Sequence, residues 1–411
     1  MTKNAILAAT AFVCVAACSP AADEETEAEA AAGPIAPGDD AYVQLQTRLI
    51  EASPGDVVEL AAGTFAFTEG LSLDVDDVTI RGAGQGETIL SFAGQTGAGE
   101  GLLITGDNVT VADLTMQDTR GDGIKAKDVD GISFLDLTVE WTGGPDPENG
   151  AYGVYPVESR DVLIDGVTVR GASDAGIYVG QSENIIVRNS RAEYNVAGIE
   201  IENSVHADVY DNIATKNAGG ILVFDLPDLP MIGGHSTRVF NNEIVENDTQ
   251  NFAPPGNIVA NVPTGTGILL MANRNVHVFG NNFDQNGTAH VMVVSYSYPF
   301  EDDRYNPLPR DFVIRDNTYG EGGGSPQGRL APLALLMGGS LPDIVWDGVN
   351  TYGETTEEVR IVVREPDDVG FVNLGLGVTP SDDAIPAPSI DRPPLVEIEE
   401  PAPVSLDMEG A

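Results

Sequence analysis

The sequence predicts an all-β protein of the parallel β-helix type, a solenoid in which short strands stack coil upon coil. Three observations predict it: a short fixed repeat, apolar columns in register, and asparagines that recur at the corners. The repeat is plainest where a Gly-Ile phrase recurs at Gly176, Gly198 and Gly220, every 22 residues. A fixed period in this range is typical of solenoids, in which each repeat packs only on its neighbours.

The apolar columns define a first strand in each coil. The residue after the repeated glycine and the residue two further on are apolar in every coil. Because side chains alternate between the two faces of a strand, both columns should face the core. They read Ile124, Val154, Ile177, Ile199, Ile221, Ile268, Val291 and Ala126, Pro156, Val179, Ile201, Val223, Leu270, Val293. A second strand is predicted 11 residues after the first, at Phe134, Ile164, Val187, Val209 and Val278.

Asparagine is predicted to form the corners between strands, because it tolerates left-handed backbone and bonds to its own turn. Stacked asparagines can also form hydrogen-bonded ladders along the axis. One phase holds Asn195, Asn217, Asn247 and Asn286, and the other holds Asn212, Asn242, Asn281 and Asn317.

The N-terminus has the pattern of an export signal. Residues 1–18 combine Lys3, a short apolar run and Val15-Ala16-Ala17-Cys18, which resembles a bacterial lipobox with Cys18 as the lipidated residue. Ser19 then favours sorting to the outer membrane, on either its periplasmic or its surface side. An uncleaved or non-lipidated signal is the alternative. Since Cys14 leaves with the signal, disulfides and cysteine chemistry are excluded from the mature chain.

The remaining segments give one long domain. Residues 19–38 read as an acidic, disordered tether. Residues 39–53 predict an amphipathic helix that caps the first coil, with Tyr42, Val43, Leu45, Leu49 and Ile50 on one stripe. The β-helix is predicted over 39–380, with a repeat that blurs after Tyr319, and 381–411 read as a loose Pro- and Glu-rich tail.

Charge excludes one class of partner. Acidic residues number 64 against 20 basic ones, a net charge of −44. Nucleic acid is excluded, because its binding needs Lys and Arg on the phosphates. A polyanionic sugar such as alginate or pectate requires a local basic patch or bridging cations. No cofactor is evident: calcium has no supporting motif, and the four histidines lie at unrelated phases of the repeat.

The outward columns of the first strand indicate where a site could lie. An open floor is predicted over Lys125, Tyr155, Tyr178, Glu200 and Glu202, with Trp141, Asp225 and His235 at its margins. Later coils of the same face are apolar. Insertions at 141–150, 225–236, 248–264 and 296–310 flank it, and they are expected to roof the last coils with Phe252, Tyr296, Tyr298 and Phe300. Tyrosines beside carboxylates suit carbohydrate.

Several sequence segments resemble those of known protein families. The stretch from Pro54 to Thr64 resembles the opening coil of pectate-lyase-like right-handed β-helix proteins. Residues 155–159, 171–182 and 219–227 resemble a family of bacterial parallel β-helix repeat lipoproteins, which implies a right-handed β-helix and export but no particular activity. The repeat is more distantly similar to polyuronate epimerases, although their Asp-Pro-His-Glu motif is missing.

Three functions remain open from the sequence. The first is carbohydrate binding on the floor. The second is polysaccharide lyase or glycoside hydrolase activity on the same face, with Glu200, Glu202, Lys125 and His235 as candidate catalytic residues. The third is a structural or docking role towards a protein partner in the cell envelope, which would use the apolar outward face.

Overall fold

The computed structural model describes residues 33–97, 99–327, 330–352, 358–376 and 388–406. From Pro34 onward the chain is one compact unit. Cys18, the signal segment and most of the tether lie outside the described residues. No helix among those described has the length and apolar character needed to cross a membrane.

The described chain winds into a parallel β-helix with three sheets of eleven, eleven and ten strands. Every coil pairs in parallel with the coils before and after it; Ile177, for example, lies opposite Ile199, and Ile199 opposite Ile221.

The first sheet carries the predicted first strands. Its members are Leu71–Leu73, Leu102–Ile104, Ile124–Lys127, Tyr152–Val157, Ala175–Gly180, Ala197–Glu202, Gly219–Phe224, Thr266–Met271, Ala289–Val294, Ile344–Trp346 and Phe371–Asn373. The second sheet consists of Val57–Glu59, Thr79–Arg81, Val109–Ala112, Asp130–Leu135, Arg160–Asp165, Glu183–Arg188, Val205–Tyr210, His235–Phe240, Arg274–Phe279, Arg310–Arg315 and Ile361–Arg364. The third sheet consists of Gly63–Ala66, Thr88–Ser91, Thr115–Gln117, Thr138–Glu140, Thr168–Arg170, Arg191–Glu193, Ile213–Thr215, Glu243–Val245, Asn282–Asp284 and Thr318–Tyr319.

The third sheet corrects the expectation of two strands per coil. Most of its strands are three residues long, and Arg191–Glu193 points only Ala192 into the main core. A single inward residue produces no alternation, so the sequence pattern does not reveal such a strand.

The predicted core columns are confirmed. Ile199 and Ile201 are completely buried, as are Ile221 and Val223 in the next coil. The second-strand residue Val209 is equally buried and stacks on Val187. The interior is therefore a continuous apolar column in which each coil lies on the next.

Both asparagine ladders are present at the corners. Asn217 Nδ2 donates to Asn247 Oδ1 at 3.1 Å and to the carbonyl oxygen of Ala192 at 2.9 Å. Its Oδ1 accepts from the backbone N–H of Asn195 at 3.0 Å. Asn212 and Asn242 repeat the arrangement at the other corner. Each ladder satisfies buried backbone groups that the turn would otherwise leave unpaired.

The capping helix is α1, Ala41–Glu51. Ala41, Leu45 and Leu49 are buried over the first coil, whereas Val43 and Ile50 are 62% and 68% exposed. The predicted stripe was therefore too wide, because residues 43 and 50 lie on the opposite side of the helix from the row spaced by four. The folded unit also begins earlier than residue 39, since Ile35 is buried and bridges to Leu60.

The C-terminal region continues the coils. A short helix, α2 (Ala331–Leu336), precedes the strand at Ile344, and the 3-10 helix at Ile258–Asn261 lies in the 248–264 insertion.

The expectation of a loose tail is wrong for residues 388–406. Glu400 forms ion pairs with Arg238 and Arg315, so this segment lies along the second sheet.

We predict that Asn217→Ala strongly destabilises the fold. The variant leaves the buried N–H of Asn195 and the carbonyl of Ala192 without their partners, at a cost of about 1–3 kcal/mol for each group. Thermal unfolding should show a melting temperature lower by many degrees. Asn282→Ala, at an exposed position in the third sheet, is the matched control and should melt like the wild type. Equal melting of the two variants would contradict the role of the ladder.

Candidate functional site

The floor predicted from the sequence is assembled on the first sheet. Tyr155 lies opposite Lys125 in the preceding coil, and Tyr178 lies opposite Glu200 in the following one. Glu202 lies two residues beyond Glu200 on the same outward side. Parallel strands are about 4.8 Å apart, so four successive coils place Lys125 and Glu200 about 14 Å from each other.

Three tyrosine rings form the centre of this face, and we call Tyr152, Tyr155 and Tyr178 the tyrosine cluster. The Tyr152 ring lies 4.5 Å from each of the other two rings, which are 4.9 Å from each other. Tyr178 is buried, whereas Tyr152 and Tyr155 are half-buried. The cluster therefore marks the point at which the covered part of the face opens to solvent.

The expectation that Glu200 and Glu202 lie on an open floor is wrong. Glu200 is 1% exposed and Glu202 is 6% exposed. The 248–264 insertion covers them: its residues Val259 and Val262 pack in one apolar cluster with Tyr178. Gly219 permits this close approach, because a Cβ there would lie 3.0 Å from Cγ1 of Val262.

The predicted roof over the later coils is confirmed. Phe252, Tyr296 and Phe300 pack on the apolar outward residues, among them Leu222 and Met271. Tyr298 belongs to the same loop but is 44% exposed, so it lies at the rim. The apolar outward face is therefore an internal packing surface.

Under this cover lies a group of acidic side chains, Asp122, Asp174, Glu200, Glu202 and Asp225, which we call the acidic network. Burial raises the pKa of Glu200 well above its usual range, and repulsion from Asp174 and Glu202 adds to the shift. The neutral form of Glu200 is therefore favoured, and its Oε2 is a buried atom without a hydrogen-bond partner. Tyr178 Oη donates to Glu202 Oε1 at 2.9 Å. Burial also raises the pKa of Glu202, to about 7, although the hydrogen bond from Tyr178 opposes the shift.

Two members of the acidic network are held by amide donors. Asn257, from the 248–264 insertion, donates to Asp174 Oδ2 at 3.0 Å, and burial raises the pKa of Asp174 to about 7. Asp225 accepts from the backbone N–H of Gly234 at 2.7 Å and from Asn273 at 2.9 Å. Burial nevertheless raises its pKa to about 8. Several of these carboxyl groups are therefore at least partly protonated near neutral pH.

The solvent-facing end of the network lies beside Lys125. Its ammonium group is 4.6 Å from the centre of the Tyr155 ring and 3.6 Å from Glu100. Asp122, half-buried nearby, has its pKa raised to about 6 by burial, and the Lys125 charge partly offsets that shift. A titratable acid, a cation and an aromatic face thus meet where solvent can reach them.

A cleft of about 610 Å³ opens at the edge of the same sheet. Glu158 and Gln181 form one side of it, each one residue past the strand that carries Tyr155 or Tyr178. Met231 and Arg304, from the 225–236 and 296–310 insertions, form the opposite side. Arg304 is held by Asp302 and by the carbonyl of Leu229.

Two predicted margin residues lie elsewhere. Trp141 is 6% exposed in the main core, and its Nε1 donates to the carbonyl of Thr119 at 2.7 Å. A corner position between coils buries its large ring, so it is a packing residue. His235 begins a second-sheet strand, and its Nδ1 lies 2.8 Å from Ser236 Oγ. His235 therefore lies on the second sheet, whereas the carboxylates of the acidic network lie at the first sheet.

The sequence reasoning missed Tyr152, Asp174 and Asn257 as parts of the site. A signal for Tyr152 exists in the column just before the repeated glycine, which reads Tyr152, Ala175, Ala197, Gly219, Thr266 and Ala289. The residues after Tyr152 in that column are small and admit the covering loop. Asn257 has no such signal, because its place depends on the path of an insertion.

Comparison with known proteins agrees with this architecture. The family model described as "Right handed beta helix region" matches residues 100–253 and 147–303. The chain is a right-handed β-helix protein. This confirms the predicted fold and its handedness. None of the curated proteins gives a significant sequence match.

Solved structures share the fold at low sequence identity. The A-module of the mannuronan C-5 epimerase AlgE6 from Azotobacter vinelandii is 15% identical over 82% of this chain and 91% of its own, with a TM-score of 0.51. The catalytic unit of a GH87 α-1,3-glucanase from Streptomyces thermodiastaticus is 15% identical over 81% of this chain and 53% of its own, with a TM-score of 0.50. At such identity the likeness shows the fold alone.

The described part of the chain has no group of three or more His, Cys, Asp or Glu side chains arranged to hold a metal ion. The acidic network is instead held by a tyrosine hydroxyl and by amide donors.

We predict that Glu202→Gln stabilises this β-helix at alkaline pH. The folded-state pKa of Glu202 is raised to about 7. The neutral acid is therefore favoured in the folded state, and its advantage is lost as pH rises from the usual Glu range through about 7. Gln stays neutral and can still accept from Tyr178. The variant should melt near the wild type at about pH 4 and several degrees above it at about pH 8, since one pKa unit corresponds to about 1.4 kcal/mol.

Glu243→Gln, at an exposed third-sheet position, provides the control and should leave the melting profile unchanged. If Glu202→Gln and the wild type lose stability in parallel between these pH values, Glu202 is not a buried acid.

Proposed function

We propose that this β-helix binds a glycan at the half-open end of its first sheet, over the tyrosine cluster and Lys125. The observation that carries the proposal is the packing of three tyrosine rings within 5 Å of one another, two of which are partly accessible to solvent. Aromatic rings pack on the apolar faces of sugars. Lys125, Asp122 and Glu158 supply the charged partners that hydroxyl groups favour.

The adjoining cleft supports a ligand larger than one sugar. Its volume of about 610 Å³ falls in the usual range for small-molecule sites. It lies beside Glu158, which in turn forms an ion pair with Lys127 at 3.8 Å. A chain of sugars over Tyr155 could therefore continue towards Arg304. Two structures of the same fold are named for enzymes of glycan chemistry, an epimerase and a glucanase, which agrees by analogy with this ligand class.

We predict that binding on a glycan array, screened with and without calcium, is lost in Tyr155→Ala and weakened in Lys125→Gln. Removing the ring deletes a stacking surface, and removing the ammonium group deletes a hydrogen-bond donor. Lys216→Gln, at a corner beside Glu246, is the matched control and should bind normally. Melting curves should confirm that all variants are folded. Failure of the wild type to bind both neutral and acidic glycans would overturn the proposal.

Hydrolysis or elimination at the same place is the second candidate function. It is favoured by Asp122, whose pKa is raised to about 6 beside the Lys125 ammonium group. A partly buried carboxyl group with a pKa of about 6 keeps its proton in mildly acidic solution, where it can act as a general acid. Each glycan that binds should therefore be incubated with the protein and assayed for new reducing or unsaturated ends. Cleavage that survives Asp122→Asn would remove Asp122 from the mechanism.

The docking hypothesis loses support on the apolar outward face. Leu222 and Phe224 are completely or almost completely buried beneath the insertions. A partner would have to displace Phe252 and Phe300 to reach them. A protein partner is therefore better sought on another surface of the molecule.

We also propose that the protein is exported and anchored by a lipid on Cys18, with the outer membrane as its destination. The support is the lipobox-like Val15-Ala16-Ala17-Cys18 and the serine that follows it. Metabolic labelling with a fatty acid in a bacterial host should mark the wild type but not Cys18→Ala, which should be recovered unanchored. Equal labelling of both chains would exclude lipidation at this residue.

A further inference from the structure

The outer face of the second sheet carries a cluster of arginines in a strongly acidic protein. Three of them also pair with aspartates: Arg188 with Asp165, Arg238 with Asp208 and Arg315 with Asp316. One outward column places Arg188, Arg315 and Arg364 on different coils, and the neighbouring column contains Arg238. The whole chain contains only 20 basic residues against 64 acidic ones. A cluster of arginines on one sheet face is therefore the feature of this molecule most suited to an anionic partner.

Stacked aromatic rings hold two of these arginines in place. The rings of Tyr210, Phe240 and Phe279 stack at 4.8 and 5.0 Å on successive coils. The guanidinium group of Arg238 lies 5.1 Å from the centre of the Phe240 ring, and that of Arg315 lies 4.2 Å from the Phe279 ring. Stacking of this kind orients a guanidinium group before a ligand arrives and so lowers the entropy lost on binding.

The acidic C-terminal segment already lies on this face. Glu400 bridges Arg238 at 3.4 Å and Arg315 at 2.7 Å. Glu397 pairs with Arg364 at 3.2 Å. Two glutamates three residues apart thus reach arginines on neighbouring coils, which requires the segment to run along the axis of the β-helix.

Backbone contacts fix the end of the segment. The N–H of Val404 donates to Asp208 at 3.1 Å, and the carbonyl of Ala402 lies 3.1 Å from Nε2 of His206. Asp208 is itself paired with Arg238. The face therefore recognises both the carboxylates and the extended backbone of a peptide.

The segment is held by ion pairs and hydrogen bonds more than by apolar packing. Arg392 at its start donates to the carbonyls of Glu365, Pro366 and Val369. Within residues 388–406 only Pro401 is buried, while Ile390 and Leu395 are 72% and 65% exposed. The Glu397 side chain is 95% exposed. Exposed ion pairs contribute about 0–1 kcal/mol each, so a segment held in this way can exchange with a competitor.

We propose that this arginine face is a recognition site for an extended acidic peptide segment of a partner protein, and that the chain's own tail occupies it in the absence of the partner. The seated tail shows which chemistry the face accepts: carboxylates about three residues apart on an extended backbone. A competing segment with more carboxylates, or one present at higher local concentration, displaces it. This site lies on a different sheet from the proposed glycan site and is independent of it.

The test uses the full chain and a fluorescent peptide with the sequence of residues 393–406. Glu397→Gln combined with Glu400→Gln in the chain's own tail should free the face. Peptide affinity by fluorescence anisotropy should then rise about tenfold over the wild type, because the two changes remove three ion pairs between tail and face. Hydrogen exchange should show residues 393–406 losing protection at the same time. Added salt should weaken peptide binding.

A third substitution identifies the surface. Arg315→Gln, added to the two tail changes, should remove most of the peptide affinity. Arg160→Gln, on the same sheet but paired with Glu183, should have no effect. A tail that stays protected after both glutamates are neutralised would overturn the proposal, because charge would not then be what holds it. So would a freed face that binds no peptide, or one that binds a polyuronate and not the peptide.

Discussion

The fold depends on in-register stacking of coils one strand spacing apart. Each inward residue lies on the equivalent residue of the next coil, as Ile199 lies on Ile221. A solenoid has no long-range core, so the register must be set locally at every turn. The asparagine ladders set it, because Asn195, Asn217 and Asn247 each bond both to the next asparagine and to backbone groups. In the coils from Asn195 onward, the outward columns inherit their alignment from these corners.

Because the columns are fixed, the character of the first-sheet face is determined by what covers it. Where the insertions pack closely, the outward residues are Leu222 and Phe224, and the neighbouring positions are small. Where the insertions leave the face open, the outward residues are Lys125 and Tyr155. The acidic network lies at the boundary between these two regions. Its burial explains the raised pKa values, since an ionised carboxylate without a cationic partner is costly in a low-dielectric interior.

The sequence predicted the parts of this molecule that repeat. Alternation of apolar residues identified the first and second strands, and it placed Tyr155, Tyr178 and Glu200 on one outward face. It did not predict that Glu200 is buried, because burial there depends on how residues 248–264 cross the face. Nor did it predict that the tail would return along the second sheet. Both outcomes rest on contacts between segments that are distant in the sequence, such as Asn257 with Asp174, and a repeat pattern contains no information about such contacts.

The distribution of charge agrees with the two separate recognition surfaces that we propose for this β-helix. With a net charge of −44, the long-range field opposes any anionic ligand. A neutral or weakly charged sugar is affected little by that field, so an uncharged tyrosine surface with one lysine is enough to contact it. An acidic peptide is repelled unless cations are locally concentrated, and Arg238, Arg315 and Arg364 provide that concentration on the second sheet. The same repulsion favours the attached tail over a free acidic segment. Covalent attachment gives the tail a high local concentration beside the arginines, whereas a free segment must approach against the negative field.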